Sequence, residues 1–188
     1  MLKILIKKLP NLKFVGIDQK NIKADFEFVR AKAEKLPFKN RYFDAVTSFE
    51  VLEHVDNLDL VLKEIRRVLK PKGVFYFTTP LEGDAKNLYG YLNQRKGYDP
   101  HSDNYGHIQK YSTKILKTAL NENGFRIKKV TYTAHYINQL WTVFLNKINK
   151  KLTILTLFVN LMAGIESMLF RKSPWGLDIQ VTCIKLKT

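Results

Sequence analysis

Residues 43–80 read FDAVTSFEVLEHVDNLDLVLKEIRRVLKPKGVFYFTTP, and this stretch constrains the fold more than any other. Ala45-Val46-Thr47-Ser48-Phe49 has the length and β-branching of a buried strand. Leu58, Val61, Leu62, Ile65, Val68 and Leu69 then recur at helical spacing, behind Asp56 or Asn57, either of which can cap the helix. Pro71 and Gly73 are expected to stop that helix, and Val74-Phe75-Tyr76-Phe77-Thr78 reads as a second buried strand. Strand, helix, strand is one right-handed βαβ unit of a parallel sheet. Ligands of such sheets sit at the carboxyl ends of the strands. Those ends carry Glu50, Glu53 and His54 on one side and Thr79-Pro80-Leu81-Glu82 on the other.

The flanking sequence extends the same architecture. Leu2, Leu5, Ile6 and Leu9 share one helical face ahead of Pro10-Asn11. Leu12–Ile17 reads as a strand with Asp18 at its carboxyl end. A carboxylate there either accepts from ribose hydroxyls, as in nucleotide-binding α/β folds, or caps a short following helix. Phe26–Ala31 is the next strand. Glu82–Tyr111 is long for a connection and is expected to form a substrate lid. Ser112 caps a helix over Lys114–Asn123, which Gly124 ends. Phe125–Ala134 and Asp178–Lys187 read as two final antiparallel strands, so residues 1–188 form a single domain.

Between those strands, residues 136–176 form an apolar and basic helical insertion. Leu152–Phe170 carries one charge, Glu166, with Lys147, Lys150, Lys151, Arg171 and Lys172 around it. Three readings stand: a short membrane span, an interfacial hairpin with basic flanks, or helices covering the substrate pocket. A single pass conflicts with a place between two strands of one sheet. The net charge of +15 would attract nucleic acid, anionic lipid or an acidic substrate, or it reflects lysine-rich usage along the whole chain. No short run is dense enough for a nucleic-acid motif, which speaks against that partner. Cys183 is the one cysteine, so no intrachain disulfide forms. The expected location is cytoplasmic, with peripheral contact to an anionic membrane surface.

Phe43-Asp44, Glu50-Val51-Leu52-Glu53-His54-Val55 and Arg67-Val68-Leu69-Lys70-Pro71-Lys72-Gly73 together resemble a known arrangement. It is the fourth strand, helix and fifth strand of class I S-adenosylmethionine-dependent methyltransferases. Within these the chain is most similar to the broad group containing quinone-biosynthesis O- and C-methyltransferases. The resemblance continues upstream through Val15-Gly16-Ile17-Asp18 and Ala33-Glu34-Lys35-Leu36-Pro37-Phe38, and downstream from Gly124-Phe125. It implies an α/β, Rossmann-like methyltransferase sheet, parallel with an antiparallel last strand. It also implies S-adenosylmethionine as cofactor and a small, apolar acceptor. Asp18 then binds the ribose, Ala33 and Glu34 lie on the loop that passes the adenine, and Glu50 lines the methionine end. Where the family commonly has an aspartate for the adenine amine, this chain has Lys32, which only donates hydrogen bonds.

A second departure is larger. The family's first strand and Gly-x-Gly-x-Gly turn are missing, since the first glycine is Gly16, after the second strand. The chain is therefore expected to be N-terminally truncated relative to the family, with its activity in doubt. The competing reading is a non-catalytic methyltransferase-like binding module, or a subunit whose partner supplies a strand to complete the sheet.

Glu50, Glu53 and His54 stand at i, i+3 and i+4, which share a helical face. With His107 from the lid they suit a divalent metal; otherwise Glu50 lines the cofactor, Glu53 and His54 pair, and there is no metal. The resemblance adds that similar sets bind metal in small-RNA 2′-O-methyltransferases and some quinone O-methyltransferases. Methyl transfer from a sulfonium mainly needs proximity and alignment, while an oxygen nucleophile also benefits from a base. His54 and His107 are the candidate bases. His101 and His135 read as surface or core residues.

Overall fold

The computed structural model describes residues 11–21, 23–24, 26–96, 106–135, 137, 139–140 and 153–186. The opening helix expected over Met1–Leu9 and the histidine at 101 lie outside them. Strands β1 (Val15–Asp18) and β2 (Glu27–Arg30) pair in parallel. A second sheet has the order β3-β4-β6-β5, with β3 (Phe43–Phe49), β4 (Leu69–Pro80), β5 (Phe125–Thr133) and β6 (Asp178–Lys185). β3 and β4 run parallel, and β6 is antiparallel to both its neighbours. The helices are α1 (Leu58–Val68), α2 (Leu88–Lys96), α3 (Thr113–Glu122) and α4 (Thr153–Phe170).

The β3-α1-β4 unit forms where the sequence pattern placed it. Asn57 is the cap, its Oδ1 accepting from Leu60 N at 3.1 Å. Val61, Leu62, Ile65 and Val68 are buried along one stripe of α1, and the first three join the core cluster with Phe75 and Phe77 of β4. Phe75 and Phe77 are fully buried and stack with ring centroids 5.0 Å apart. The expected helix stop is corrected by one register. Leu69 already pairs with Phe43, and pairing resumes at Ala45 with Val74, so Pro71, Lys72 and Gly73 form an irregular bulge inside β4. Lys72 takes a positive φ of 63° there.

Ser112 caps α3 as expected, its Oγ accepting from Ile115 N at 3.3 Å. Gly124 follows at φ +71°, the left-handed conformation that a helix end favours. The long segment after Pro80 is not wholly irregular, because Leu88–Lys96 is helical. Cys183 is a free, fully buried thiol whose pKa burial pushes up to about 12, so it serves as core. In the insertion, Glu166 accepts from Ile137 N at 2.9 Å, which ties α4 back to the chain after β5. Among the described residues, no helix is long and apolar enough to cross a membrane.

Among the described residues β1 pairs only with β2, and β3 only with β4. Among the described residues, the edges of β1 and β3 that face away from those partners carry no strand.

Candidate active site

The chain after β3 does not enter a helix directly. Glu50 takes φ +51°, the left-handed region that costs a side-chain-bearing residue about 1–3 kcal/mol. Its backbone N–H donates to Thr78 O at 3.2 Å, and its Oε1 accepts from the Thr78 hydroxyl at 2.5 Å. Two adjacent strand ends are thus locked together through one carboxylate. The helical turn that follows is a 3₁₀ turn over Leu52–His54, which carries Glu53 inward and His54 outward. Glu53 is fully buried, with Oε2 accepting from the Thr79 hydroxyl at 2.9 Å and Oε1 lacking a hydrogen-bond donor. Burial, with the nearby Glu50 charge adding to it, pushes its pKa up to about 7.

The lid segment closes over this turn. Ile108 N and Gln109 N both donate to Glu53 O at 3.0 Å, and the buried Tyr111 hydroxyl donates to Leu52 O at 2.8 Å. These bonds bring His107 against His54, with ring centroids 4.9 Å apart. His54 Nδ1 lies 3.1 Å from Gly106 O and, facing a carbonyl, carries the proton, which leaves Nε2 as the acceptor. His107 Nδ1 lies 2.9 Å from Oε1 of Glu82, itself almost wholly buried. A carboxylate that holds one ring nitrogen fixes the imidazole orientation, the arrangement used by positioned general bases. Ligand atoms of Glu53, His54 and His107 lie within 4.8 Å of one another. Glu50 stands outside that group, because its left-handed backbone breaks the helical spacing and Thr78 holds its carboxylate.

Asp18 is exposed at the carboxyl end of β1, and its Oδ1 accepts from Lys20 N at 2.8 Å, which makes a turn rather than a helix. A cavity of about 270 Å³ lined by Gln19, Arg30, Ala31 and Lys32 opens at the ends of β1 and β2. Glu34 Oε2 is buried without a hydrogen-bond partner, an orphaned acceptor that suits a hydroxyl donor. Asp18 and Glu34 thus present carboxylate oxygens on the segments that follow β1 and β2. Lys32 is exposed, and its side chain can only donate hydrogen bonds. That loop is held from below. Arg67 donates to Phe38 O at 2.7 Å and Leu36 O at 2.8 Å, while Glu64 accepts from Leu36 N at 2.8 Å.

The sequence pattern brought out His54, His107 and the carboxylates, and set Thr79 and Glu82 at the strand end without giving either a role; it did not single out Tyr111. Glu82 and Thr79 had one visible signal, a carboxylate and a hydroxyl at the end of an apolar strand.

The methyltransferase-domain family matches residues 9–77. An uncharacterized protein of Methanocaldococcus jannaschii is 34% identical over 116 residues, which cover 53% of this chain and 46% of that protein. The ubiquinone/menaquinone biosynthesis C-methyltransferase of Psychromonas ingrahamii is 36% identical over 96 residues, 50% of this chain and 35% of the relative. The demethylmenaquinone methyltransferase of Thermotoga maritima is 34% identical over 97 residues, 47% of this chain and 42% of the relative. The chain thus spans about half or less of the length of these curated relatives. A crystal structure of a methyltransferase dependent on S-adenosylmethionine from Archaeoglobus fulgidus superposes with a TM-score of 0.60 at 20% identity. The match covers 98% of this chain and 80% of that one. A second, from Mesorhizobium loti, gives 0.57 at 13% identity over 92% and 80% of the two chains.

Proposed function

On the premise that this chain belongs with the class I S-adenosylmethionine-dependent methyltransferases, we propose that it transfers a methyl group to a small, apolar acceptor. The observation that carries this reading is the Glu50–Thr78 lock, which holds a carboxylate at the adjoining carboxyl ends of two parallel strands. Asp18, Ala33 and Glu34 would hold the nucleoside, and Glu50 the amino-acid end. The bound cofactor supplies a methyl group already activated on a sulfonium. The protein's share is to orient, to exclude water and to move a proton. His107, held by Glu82, and His54, whose Nε2 is its acceptor, would take a proton from an acceptor hydroxyl.

Calorimetry with S-adenosylhomocysteine tests the reading. Saturable binding that Asp18→Ala weakens tenfold or more supports it. Absence of binding would favour the alternative, a non-catalytic methyltransferase-like module acting as a partner subunit.

A finer reading adds a divalent ion held by Glu53, His54 and His107. It is favoured by the unsatisfied Glu53 Oε1, 4.0 Å from His54 Nε2, and by the anchoring of both imidazoles through Nδ1. Titration with Mn²⁺ tests it by electron paramagnetic resonance. Binding of one ion that His107→Ala abolishes supports the site, and an unchanged free-Mn²⁺ signal ends it.

A further inference from the structure

At the opposite end of the second sheet, beneath the amino ends of β3 and β5, lies a cavity of about 500 Å³. Its lining brings together Arg41, Lys63, Arg66, Arg67 and Lys185, with Glu122 as the acidic residue. Two of the cations are spoken for. Lys63 pairs with Asp59, and Arg67 with Glu64 and two loop carbonyls. Lys185 is buried and donates to Leu69 O at 2.8 Å, one of the three bonds an ammonium can make. Among the described residues, the side chains of Arg41 and Arg66 have no hydrogen-bond or ion-pair partner. Arg66 Nε is buried in that condition.

A basic lining alone would be ordinary in a chain of net charge +15, and the C-termini of α1 and α3 attract some cations here. Three further features set this cavity apart. Burial and the charges of Arg66 and Arg41 hold the Lys185 ammonium below its usual range, so three cations repel one another across a cavity whose one acidic lining residue is Glu122. Arg66 lies flat on Gly124, where a Cβ would stand 2.7 Å from Arg66 Nε, so the glycine leaves room for the guanidinium. Arg41 sits at φ +57°, a costly backbone that the bulge and helix end hold in place, with its N–H on Arg67 O at 2.9 Å. Repelling cations, a desolvated unsatisfied donor and a strained support together destabilise the empty cavity. A multiply charged oxyanion relieves all but the backbone strain.

We propose that this cavity binds the phosphate group of a small phosphorylated molecule, with Arg41, Arg66 and Lys185 as its ligands. A guanidinium pair and an ammonium match a phosphate in charge and donor geometry, and the volume suits a ligand of metabolite size. The site lies across the sheet from Glu50 and His107, so its occupancy is separable from cofactor binding.

The test is calorimetry on the full chain with inorganic phosphate, pyrophosphate, ADP and chloride at matched ionic strength. Saturable binding of one pyrophosphate is expected, weakened tenfold or more by Arg41→Gln and by Arg66→Gln. Equal affinity for phosphate and pyrophosphate would assign the site to free phosphate, and tighter binding of ADP to a nucleotide, both within the proposal. Thermal melts give a second readout. Without phosphate, Arg66→Gln should melt higher than the wild type, because one of three repelling charges is gone, and pyrophosphate should no longer raise its melting temperature. Binding no tighter than chloride, or unchanged in both variants, overturns the proposal. So does RNA binding lost in the same variants with a salt slope spanning several phosphates and no pyrophosphate uptake.

Discussion

The Arg67 guanidinium and the Glu64 carboxylate form a bidentate pair across one turn of α1, with Nε to Oε1 at 2.7 Å and Nη2 to Oε2 at 2.8 Å. Each partner also holds the loop that carries Ala33 and Glu34. Arg67 reaches Phe38 O, Leu36 O and Asn40 Oδ1, and Glu64 accepts from Leu36 N. The helix of the βαβ unit therefore positions the loop after β2 through one fork-shaped side chain and its carboxylate partner.

Arg67→Ala should destabilise the fold by about 2–3 kcal/mol, since it strips donors from two loop carbonyls and leaves Glu64 unpaired in a half-buried place. Arg67→Lys keeps the charge without the fork and should recover less than half of the loss. Urea unfolding measures both, and a loss below about 0.5 kcal/mol would show the clamp to be idle.

The same pair predicts an acid limb. The Arg67 hydrogen bonds hold the Glu64 carboxyl below its usual range, so the folded pKa is depressed. The stability this gives is fully present above the ordinary glutamate value and is lost as pH falls through the lower folded value. As pH falls below the ordinary glutamate value, the wild type should lose more stability per pH unit than Arg67→Ala. Parallel slopes in the two proteins would place the acid sensitivity elsewhere.

Tyr111 fastens the lid segment to the turn that carries Glu53 and His54. Tyr111→Phe removes the hydroxyl donor from Leu52 O and leaves that buried carbonyl only the longer bond from Val55 N at 3.4 Å, for a loss of about 1 kcal/mol. Amide exchange at Ile108 and Gln109, which donate to Glu53 O, should quicken in the variant more than exchange in β6. Uniform quickening throughout would mean that the lid is not a separate unit.

How much of this was legible in the sequence follows the range of the forces involved. Helix α1, its Asn57 cap, the Ser112 cap and the burial of Phe75 and Phe77 depend on local spacing, and spacing is visible. The start of β4 was not, because Pro71 and Gly73 punctuate the chain as a stop while the bulge lets Leu69 pair ahead of them. Helix α2 hides because Leu88, Tyr89, Tyr91 and Leu92 show no clean helical stripe, and Gly90 lies against the Asp84 carbonyl, where a Cβ has no room. Glu82 and His107 are 25 residues apart, and nothing in either neighbourhood announces the other. Glu50, Glu53 and His54 have helical spacing in the sequence and lose it to one positive φ.

Helix α4 exposes Leu161, Ile165, Met168, Leu169 and Phe170, with Met168 75% and Leu169 70% accessible. An apolar face of that size, in a chain of net charge +15, is expected to dock on an anionic membrane surface. Co-sedimentation with phosphatidylserine-containing vesicles should retain the protein at low salt, and Leu161→Ser with Leu169→Ser should release it. Equal binding to neutral vesicles, or none to either, would count against lipid as the occupant.

Glu50 offers the sharpest separation of stability from function. Replacement by glycine removes the left-handed penalty of about 1–3 kcal/mol and at the same time the Thr78 hydrogen bond, worth about 1–2 kcal/mol. The two changes oppose each other, so the unfolding free energy of Glu50→Gly should stay within about 1 kcal/mol of the wild type. Glu50→Ala loses the bond and keeps the strain, and should be the less stable of the two. If the carboxylate receives the amino-acid end of the cofactor, both variants should bind S-adenosylhomocysteine at least tenfold more weakly. Glu50→Gln, which still accepts from Thr78 through its amide oxygen, should fall between. A glycine variant that is both more stable and equally tight in binding would show that the strain at Glu50 serves the strand ends alone, and the carboxylate would have to be removed from the cofactor site.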